Sequence, residues 1–162
     1  MTKLPAKPVI KIRVVKFRTH VHATESIDKV IDALETFLPE SIERFYNKEL
    51  KKHSLSSIYK TPIKAIEINI KKQSRIKTIL KHIADNLEGI DRDKLAQGFD
   101  NRINDKNRVF FRFDKQLLHT GKIKITRGSD TVQIMVAPIN KNPKADFTHS
   151  HIKNLFKDLN LI

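Results

Sequence analysis

The sequence contains no cysteine and no tryptophan, and only 4 of its 162 residues are glycine. Without cysteine there can be no disulfide, no thiol nucleophile and no thiolate-bound zinc or iron–sulfur cluster. The scarcity of glycine argues against a phosphate-binding loop, and neither GxGxxG nor GxxxxGK occurs. No apolar run approaches the roughly 18 residues of a transmembrane helix, and residues 1–8 lack the apolar stretch of a secretory signal. We therefore expect a cytoplasmic protein that carries no cofactor.

Charge is the strongest signal that the composition carries. Lysine and arginine total 32 against 18 aspartates and glutamates, which gives a net charge of +14. Thermophilic ion-pair networks would increase the numbers of acidic and basic residues together, so they do not explain a surplus of basic residues alone. Excess charge of one sign repels itself unless a polyanion receives it. Nucleic acid is the favoured partner, ahead of an anionic membrane or a surplus that serves solubility alone.

The length is typical of one domain, with a core large enough to need no disulfides. We expect residues 1–8 to be a flexible basic tail and residues 9–162 to form a single α+β domain that binds RNA. The predicted strands are 9–22, 41–46, 63–71, 108–113, 122–126 and 131–137, and the turn at 127–130 predicts that the last two form a hairpin. The predicted helices are 25–38, 74–88 and about 148–160, with a basic loop at 47–62, a helical turn at 91–98 and a linker at 138–147. The alternating strands predict a mainly antiparallel sheet with helices on one face and the other face open to water or ligand.

The first predicted strand changes its alternation phase halfway along. Ile10, Ile12 and Val14 share one phase, and Val15 begins the other. A one-residue slip exchanges the two faces of a strand, so we predict a β-bulge at Val14–Val15. The polar side chains left facing away from the core are then Lys11, Arg13, Lys16, Arg18, His20 and His22.

The first two helices differ in charge. Helix 25–38 has Thr24 as its predicted N-cap, and helix 74–88 has Gly89 as its predicted stop. The outer face of the first is acidic through Asp28, Asp32 and Glu35. The outer face of the second is basic through Arg75, Lys77, Lys81 and His82.

Several short strings, in this order, resemble a known family. They are His20-Val21-His22-Ala23-Thr24-Glu25, Phe37-Leu38-Pro39, Tyr59 with Pro62, and Arg112-Phe113-Asp114-Lys115-Gln116 before Gly121. Over residues 9–137 they resemble small archaeal RNA-binding proteins that are described as predicted exosome subunits. The resemblance implies a curved sheet similar to that of the large-subunit ribosomal protein that contacts 5S RNA. It also implies RNA as a partner, with exosome or ribosomal proteins beside it.

One segment departs from that family's pattern. Where the family has a glycine-flanked Gly-His-Tyr-Gly-Asn-Pro, this chain has Ser57-Ile58-Tyr59-Lys60-Thr61-Pro62, so only the tyrosine and the proline match.

The strand at 108–113 offers a surface for base stacking. Val109, Phe111 and Phe113 share the core phase, which leaves Phe110 between two arginines on the open face. An aromatic ring in that setting stacks an unpaired base, and the arginines add phosphate contacts. The alternative is that Phe110 packs beneath residues 138–147. The full set of predicted RNA-binding residues is Arg13, Arg18, His20, His22, Lys71, Lys72, Arg75, Arg108, Phe110, Arg112, Lys115, Lys122 and Lys124.

Metal binding and catalysis find less support in the sequence. His20 and His22 share a strand face, but only Glu25 is a nearby carboxylate, so we predict no metal site. His119 with Asp114 is the one general-base pair that we find for RNA cleavage, and it lacks a second acid. Asp114 is better explained as the cap of a following turn or as a partner of Arg112 or Lys115. We therefore predict a non-catalytic RNA-binding protein. The alternatives are an adaptor that docks on an RNA machine through the acidic helix 25–38 and, third, a ribonuclease.

Overall fold

A computed structural model of the chain describes residues 6–39, 50–56 and 62–162, with only the backbone described at 50–56, 62 and 63. The strands are β1 (Ile10–Val21), β2 (Leu50–Ser56), β3 (Pro62–Ile70), β4 (Val109–Asp114) and β5 (Thr131–Asn140). The helices are α1 (Ile27–Leu34), α2 (Gln73–Asn86), α3 (Gly89–Gln97), α4 (Lys115–His119) and α5 (His149–Asp158), with 3-10 turns at Glu35–Phe37 and Phe99–Arg102. The strands form one antiparallel sheet in the order β2-β3-β1-β5-β4. The predicted α+β class with an antiparallel sheet is confirmed.

The helices cover one face of this sheet. All five contribute buried residues to a single apolar core, which they share with the inward side chains of β1, β3, β4 and β5. Phe37, just after α1, lies at the centre of this core, because its ring centroid is 5.3 Å from those of both Phe17 and Phe113. Among the described residues, the opposite face carries a much smaller apolar cluster of Val14, Met135 and Ala137. We call this second side of the sheet the open face.

The bulge in β1 decides which side chains reach the open face. The register against β5 shifts between Ile12 and Val14, so the bulge lies at Arg13, just before the predicted Val14–Val15 step. Ile12 stays in the main core, whereas Val14 turns to the open face and joins Met135. The prediction that Val14 shares a face with Ile12 is therefore wrong.

The helix ends differ from the predicted ones. The N-cap of α1 is Ser26 rather than Thr24. Gly89 does not stop α2, since Leu87 is its C-cap and Gly89 is the first residue of α3. None of the helices in the described ranges is long and apolar enough to cross a membrane.

The predicted outer face of α2 is only half right. Lys77 and Lys81 are exposed, but Arg75 is only 8% exposed and His82 is half-buried. His82 is held there because its Nε2 lies 3.0 Å from the carbonyl oxygen of Thr36. The prediction that Arg75 lies on an exposed basic face is wrong.

Two strand predictions also fail. Part of the predicted loop at 47–62 is strand β2, which pairs with β3. Residues 122–126 form no hairpin with β5, because β5 lies between β1 and β4. They follow the outer edge of β4 instead, where Asp114 N donates to Lys124 O (2.8 Å) and Thr126 N donates to Arg112 O (3.1 Å). The predicted strand at 41–46 and residues 1–5 of the predicted tail lie outside the described residues.

Candidate nucleic-acid interface

The antiparallel register aligns a row of polar side chains across the open face. Arg18 of β1 is opposite Gln133 of β5, and Gln133 is opposite Arg112 of β4. Residues two apart on a strand share a face, so the next row holds Lys16, Met135 and Phe110. Two arginines and one phenylalanine thus lie on adjacent rows of the same surface.

Phe110 is a supported but accessible ring. It is half-buried and packs against Val14, Met135 and Ala137 of the open face. The other phase of β4 is buried, as predicted, since Val109, Phe111 and Phe113 all lie in the main core. The face of Phe110 was therefore predicted correctly.

Two shallow grooves lie end to end on the open face and share Arg18 and Gln133. One has a volume of about 370 Å³ and extends past Arg112 to the end of β1 at His20 and His22. The other has a volume of about 160 Å³ and extends to Arg108 and Phe110. Because they share two residues, they form one track along the direction of the strands.

Two carboxylates of this face are already paired with lysines. Glu67 Oε1 is 3.4 Å from Lys16 Nζ, and Asp130 Oδ1 is 2.9 Å from Lys115 Nζ. In the described ranges no ion pair is formed by Arg18 or by Arg112. Glu67 lies opposite Arg18 in the register of β1 and β3 but is paired with Lys16, so neither arginine has an ion-pair partner in the described chain.

Lys115 is the largest correction to the predicted site. Its side chain is 0% exposed, and its Nζ lies 2.7 Å from Glu25 Oε1 and donates to the carbonyl oxygen of His20 at 2.8 Å. With Asp130 as the third partner, the ammonium group has three acceptors inside the protein. It cannot also reach a phosphate, so Lys115 is a structural residue.

This arrangement brings together two of the strings that carry the family resemblance. The turn that follows β1 supplies Glu25 and the start of α4 supplies Lys115. Partial burial would raise the pKa values of Glu25 and Asp130, but hydrogen bonds and the positive charge of Lys115 outweigh it, with help from His22. The net result is that the pKa of each carboxyl lies below its ordinary value. We call Lys115, Glu25, Asp130 and His22 the Lys115 cluster.

The two strand histidines have different surroundings. Burial, followed by the positive charges of Arg18 and Lys115, lowers the pKa of His20 below its ordinary value, which favours the neutral ring. His22 is exposed, and its Nε2 is 3.4 Å from Asp130 Oδ1. Asp130 therefore competes with a phosphate for His22, and the lowered pKa of His20 disfavours a cationic contact there.

Metal binding by this cluster is opposed by Lys115. Ligand atoms of His22, Glu25 and Asp130 lie within 4.8 Å of one another. The Lys115 ammonium already contacts both carboxylates, however, and it supplies the positive charge that a metal ion would bring.

The catalytic pair considered from the sequence does not form. The Asp114 side chain caps α4 by accepting from Leu117 N at 3.0 Å, which confirms its predicted structural role. His119 instead has its Nε2 3.9 Å from Glu25 Oε2. No general-base pair of His119 and Asp114 is available for RNA cleavage.

The other predicted contacts lie away from the grooves. Lys71 and Lys72 are exposed in the turn before α2, and this turn lies beside the bulge at Arg13 because Gln73 Nε2 donates to Ile12 O at 2.8 Å. Lys122 is exposed on the segment along β4. Lys124 does not share the open face, since its Nζ is 3.9 Å from Glu88 Oε2 between α2 and α3.

Sequence reasoning missed several residues of this region. Gln133 is a single polar residue in the apolar run of β5, and its alternation phase could have placed it on the open face. Arg102 and Arg127 line a separate cleft at the sheet edge. They lie in irregular segments, where no periodicity indicates which way a side chain points.

The fold and its open face define an α+β protein in which one side of the sheet is packed with helices and the other presents arginines that form no ion pair within the described ranges. Residues 14–137 match the model of a protein family described as RNA binding, and the chain belongs to that family. An RNA-binding protein of Pyrococcus abyssi is 29% identical over 122 residues, which cover 75% of this chain and 79% of the relative. An uncharacterized protein of Methanocaldococcus jannaschii is 32% identical over 137 residues, covering 80% of this chain and 90% of the relative.

Solved structures share the fold. A protein of Archaeoglobus fulgidus superimposes with a TM-score of 0.75 at 24% identity, covering 92% of this chain and 99% of the other. A protein of Methanothermobacter thermautotrophicus does so with a TM-score of 0.70 at 17% identity, covering 91% and 97%. At these identities the likeness concerns the fold alone.

Proposed function

We propose that the protein binds RNA on the open face of its sheet and does not cleave it. Arg18 and Arg112 bind phosphates of a strand that follows the two grooves, and Phe110 stacks on an unpaired base. The observation that carries the proposal is the row Arg18–Gln133–Arg112, whose arginines have no ion pair in the described chain while the neighbouring carboxylates are held by lysines. Membership of an RNA-binding family supports the choice of ligand.

The chemistry of the row suits a polynucleotide. Arginine presents a planar fork of donors that matches phosphate oxygens, and a charge-assisted bond of this kind is stronger than a neutral one. Stacking contributes about 1–3 kcal/mol per base and tolerates any sequence. We therefore expect affinity from phosphates, and base preference only where a base is unpaired.

The proposal is tested by removing two positive charges either from the open face or from the helix side of the sheet and comparing the effects on RNA binding. In the open-face variant, Arg18→Gln and Arg112→Gln are combined. The control variant combines Lys77→Gln and Lys81→Gln, two exposed lysines of α2, so the same charge is lost from the helix side. Binding of a single-stranded RNA oligonucleotide is measured by fluorescence anisotropy at several salt concentrations.

The salt dependence distinguishes a defined interface from diffuse attraction. A site of about five phosphates gives a log–log slope near −3.5, and two lost contacts make the slope less negative by about 1.4. We expect that change in the open-face variant and little change in the control. An open-face site would be contradicted if both variants lost RNA affinity equally, or if the affinity of the natural protein did not depend on salt concentration.

Two further readouts address the alternatives. Recovery of full-length RNA after prolonged incubation is expected, and specific cleavage products would favour the ribonuclease alternative. A DNA oligonucleotide of the same sequence tests whether 2′-hydroxyl groups are read. Exosome or ribosomal partners remain part of the proposal, and they are tested by co-purification of tagged protein from its own cells before and after RNA digestion.

A further inference from the structure

A second, separate cleft lies at the outer edge of the sheet. It has a volume of about 740 Å³ and lies between the C-terminal end of α3 and the segment that runs along β4. The cleft is lined by Lys94, Gln97, Gly98, Arg102, Ile125, Thr126 and Arg127. Three of these side chains are cationic and none is acidic, so the lining is electrostatically one-sided.

Arg102 is the unusual member of this lining. Its Nε is buried and has no hydrogen-bond partner among the described residues. Burial first, and then the positive charges of Arg127 and Arg112, lower the pKa of the Arg102 guanidinium. A partly buried cation that faces other cations costs free energy unless an anion completes the site.

The described fold does not supply that anion. Asp91 is a buried carboxylate near the same segment, but its Oδ2 accepts from Ile125 N at 3.3 Å and it forms no ion pair with Arg102. The Lys124–Glu88 ion pair also involves neither arginine of the cleft. Among the described residues, Arg102 and Arg127 are therefore left without a counter-charge.

The cleft is connected to the open face through β4. Thr126 lines the cleft, and its backbone N–H donates to the carbonyl oxygen of Arg112, whose side chain lines the larger groove. A chain that passes Arg112 therefore needs only to cross the edge of β4 to arrive at Arg127.

We propose that this cleft is a second phosphate-binding site, in which Arg102 and Arg127 hold a backbone phosphate of the RNA that crosses the sheet edge. The inference rests on the proposed function and adds to it a path for the strand. Guanidinium groups bind phosphodiesters through paired donors, and both Arg102 and Arg127 line the cleft. The site lies outside the set of contacts that sequence reasoning selects.

Two variants test the cleft. Arg127→Gln removes an exposed cation, whereas Arg102→Met removes the partly buried charge but keeps an aliphatic stem to fill the space. We expect each to make the salt slope for single-stranded RNA less negative by about 0.7, with Lys77→Gln as the matched control. We also expect Arg102→Met to leave the melting temperature unchanged or raised, because a site built for an anion is relieved when its uncompensated charge is removed.

A direct readout is the Nε–Hε signal of Arg102 in a nitrogen-15 NMR spectrum. It should shift when the RNA oligonucleotide is added, and the shift should be lost in Arg127→Gln. If the natural protein binds RNA while this signal stays fixed and both variants bind normally, the cleft site is wrong and the open-face function survives. A lowered melting temperature of Arg102→Met with normal RNA binding would likewise make Arg102 structural. If the natural protein binds no RNA, both proposals fall together.

Discussion

Lys115 and Arg112 are three residues apart in the sequence, carry the same charge, and belong to regions with opposite electrostatics. Lys115 is fully buried, and two carboxylates and a carbonyl oxygen surround its ammonium group. Arg112 is exposed on the open face and forms no ion pair in the described part of the chain. Of the two cations, only the arginine is available to bind an anionic ligand.

A net charge of +14 therefore does not by itself show where on the surface a polyanion binds. A count treats every cation alike, but recognition depends on which cations the fold leaves without a counter-charge. Here the lysines at positions 16, 115 and 124 contact carboxylates, whereas Arg18, Arg102, Arg112 and Arg127 do not within the described ranges. The unneutralised arginines follow the open face and the edge of β4.

The largest expected effect comes from breaking the Lys115 cluster. Lys115→Met keeps the length of the side chain but leaves Glu25 and Asp130 without their shared cation. Removing one partner of a buried ion pair costs about 3–5 kcal/mol, and we expect the lower end because Asp130 is one-third exposed. Chemical denaturation should report this loss, while the folded fraction still binds RNA, weakened only by the charge that Asp130 regains beside the groove.

The control for that variant is Lys124→Met, which removes an exposed ion pair with Glu88. Surface pairs contribute only about 0–1 kcal/mol, so this change should barely move the denaturation midpoint. If Lys115→Met stays stable and loses RNA affinity, Lys115 belongs to the binding surface and the contrast between the two regions disappears.

The next largest effect is expected from removing the aromatic ring of Phe110 from the open face. Phe110→Ala should weaken binding of unpaired RNA by about 1–3 kcal/mol, which is roughly 5- to 150-fold in Kd. Duplex RNA should be bound almost as before, because its bases stay stacked on one another. The measurement is anisotropy titration with a single strand and with its duplex, alongside thermal melting.

Phe110→Leu is the matched control for this variant. Leucine keeps the apolar contact with Val14 and Met135 but offers no aromatic face for a base. It should therefore melt close to the natural protein and still lose single-strand affinity. If leucine restores RNA binding fully, the ring serves packing alone and the stacking surface does not exist.

The outline of the fold could be predicted from the sequence because the spacing of apolar residues shows which face of each strand or helix is buried. The alternation of Ile66, Ile68 and Ile70 and the helical spacing of Ile76, Ile79 and Ile83 each placed a buried face correctly. The predicted pairing of residues 122–126 with β5 was wrong, because alternation shows which side chains are buried but does not show which strand is the neighbour. Strand β2 was missed because its sequence, LKKHSLS, is weakly apolar and reads as a loop.

The binding site was harder to predict than the fold. Phe110 and Arg112 follow from strand phase alone, and the structure places both on the open face. Lys115 and Arg75 could not be recognised as buried, because their surroundings come from residues far away in the sequence. Glu25 precedes Lys115 by 90 residues, and only the tertiary fold brings the two side chains together.

A smaller effect is expected from acid. In the folded protein the pKa values of Glu25 and Asp130 lie below their ordinary 4.5 and 3.8. A depressed carboxyl pKa contributes stability that is fully present above the ordinary value and is lost as the pH falls through the lowered one. Denaturation midpoints measured from pH 7 down to pH 2 should therefore decline mainly below about pH 4.5.

The Lys115→Met variant tests the origin of that decline. With the lysine gone, the force that lowers both pKa values is removed, so the variant should lose less stability on acidification than the natural protein. Parallel declines in the two proteins would show that other carboxyl groups cause the acid sensitivity.

The smallest effect is expected on the helix side. Asp28 and Asp32 are exposed on α1, in the layer that the sheet separates from the open face. Combining Asp28→Asn with Asp32→Asn should leave RNA affinity unchanged or slightly raised, because like charge is removed far from the bound strand. Asp28 lies in the first turn of α1, so its loss costs at most about 0.3–1 kcal/mol of stability through the helix dipole. A large loss of RNA binding by a folded variant would place RNA on the wrong side of the sheet. Loss of a co-purified protein, with RNA binding intact, would instead identify α1 as the surface through which the protein joins a larger assembly.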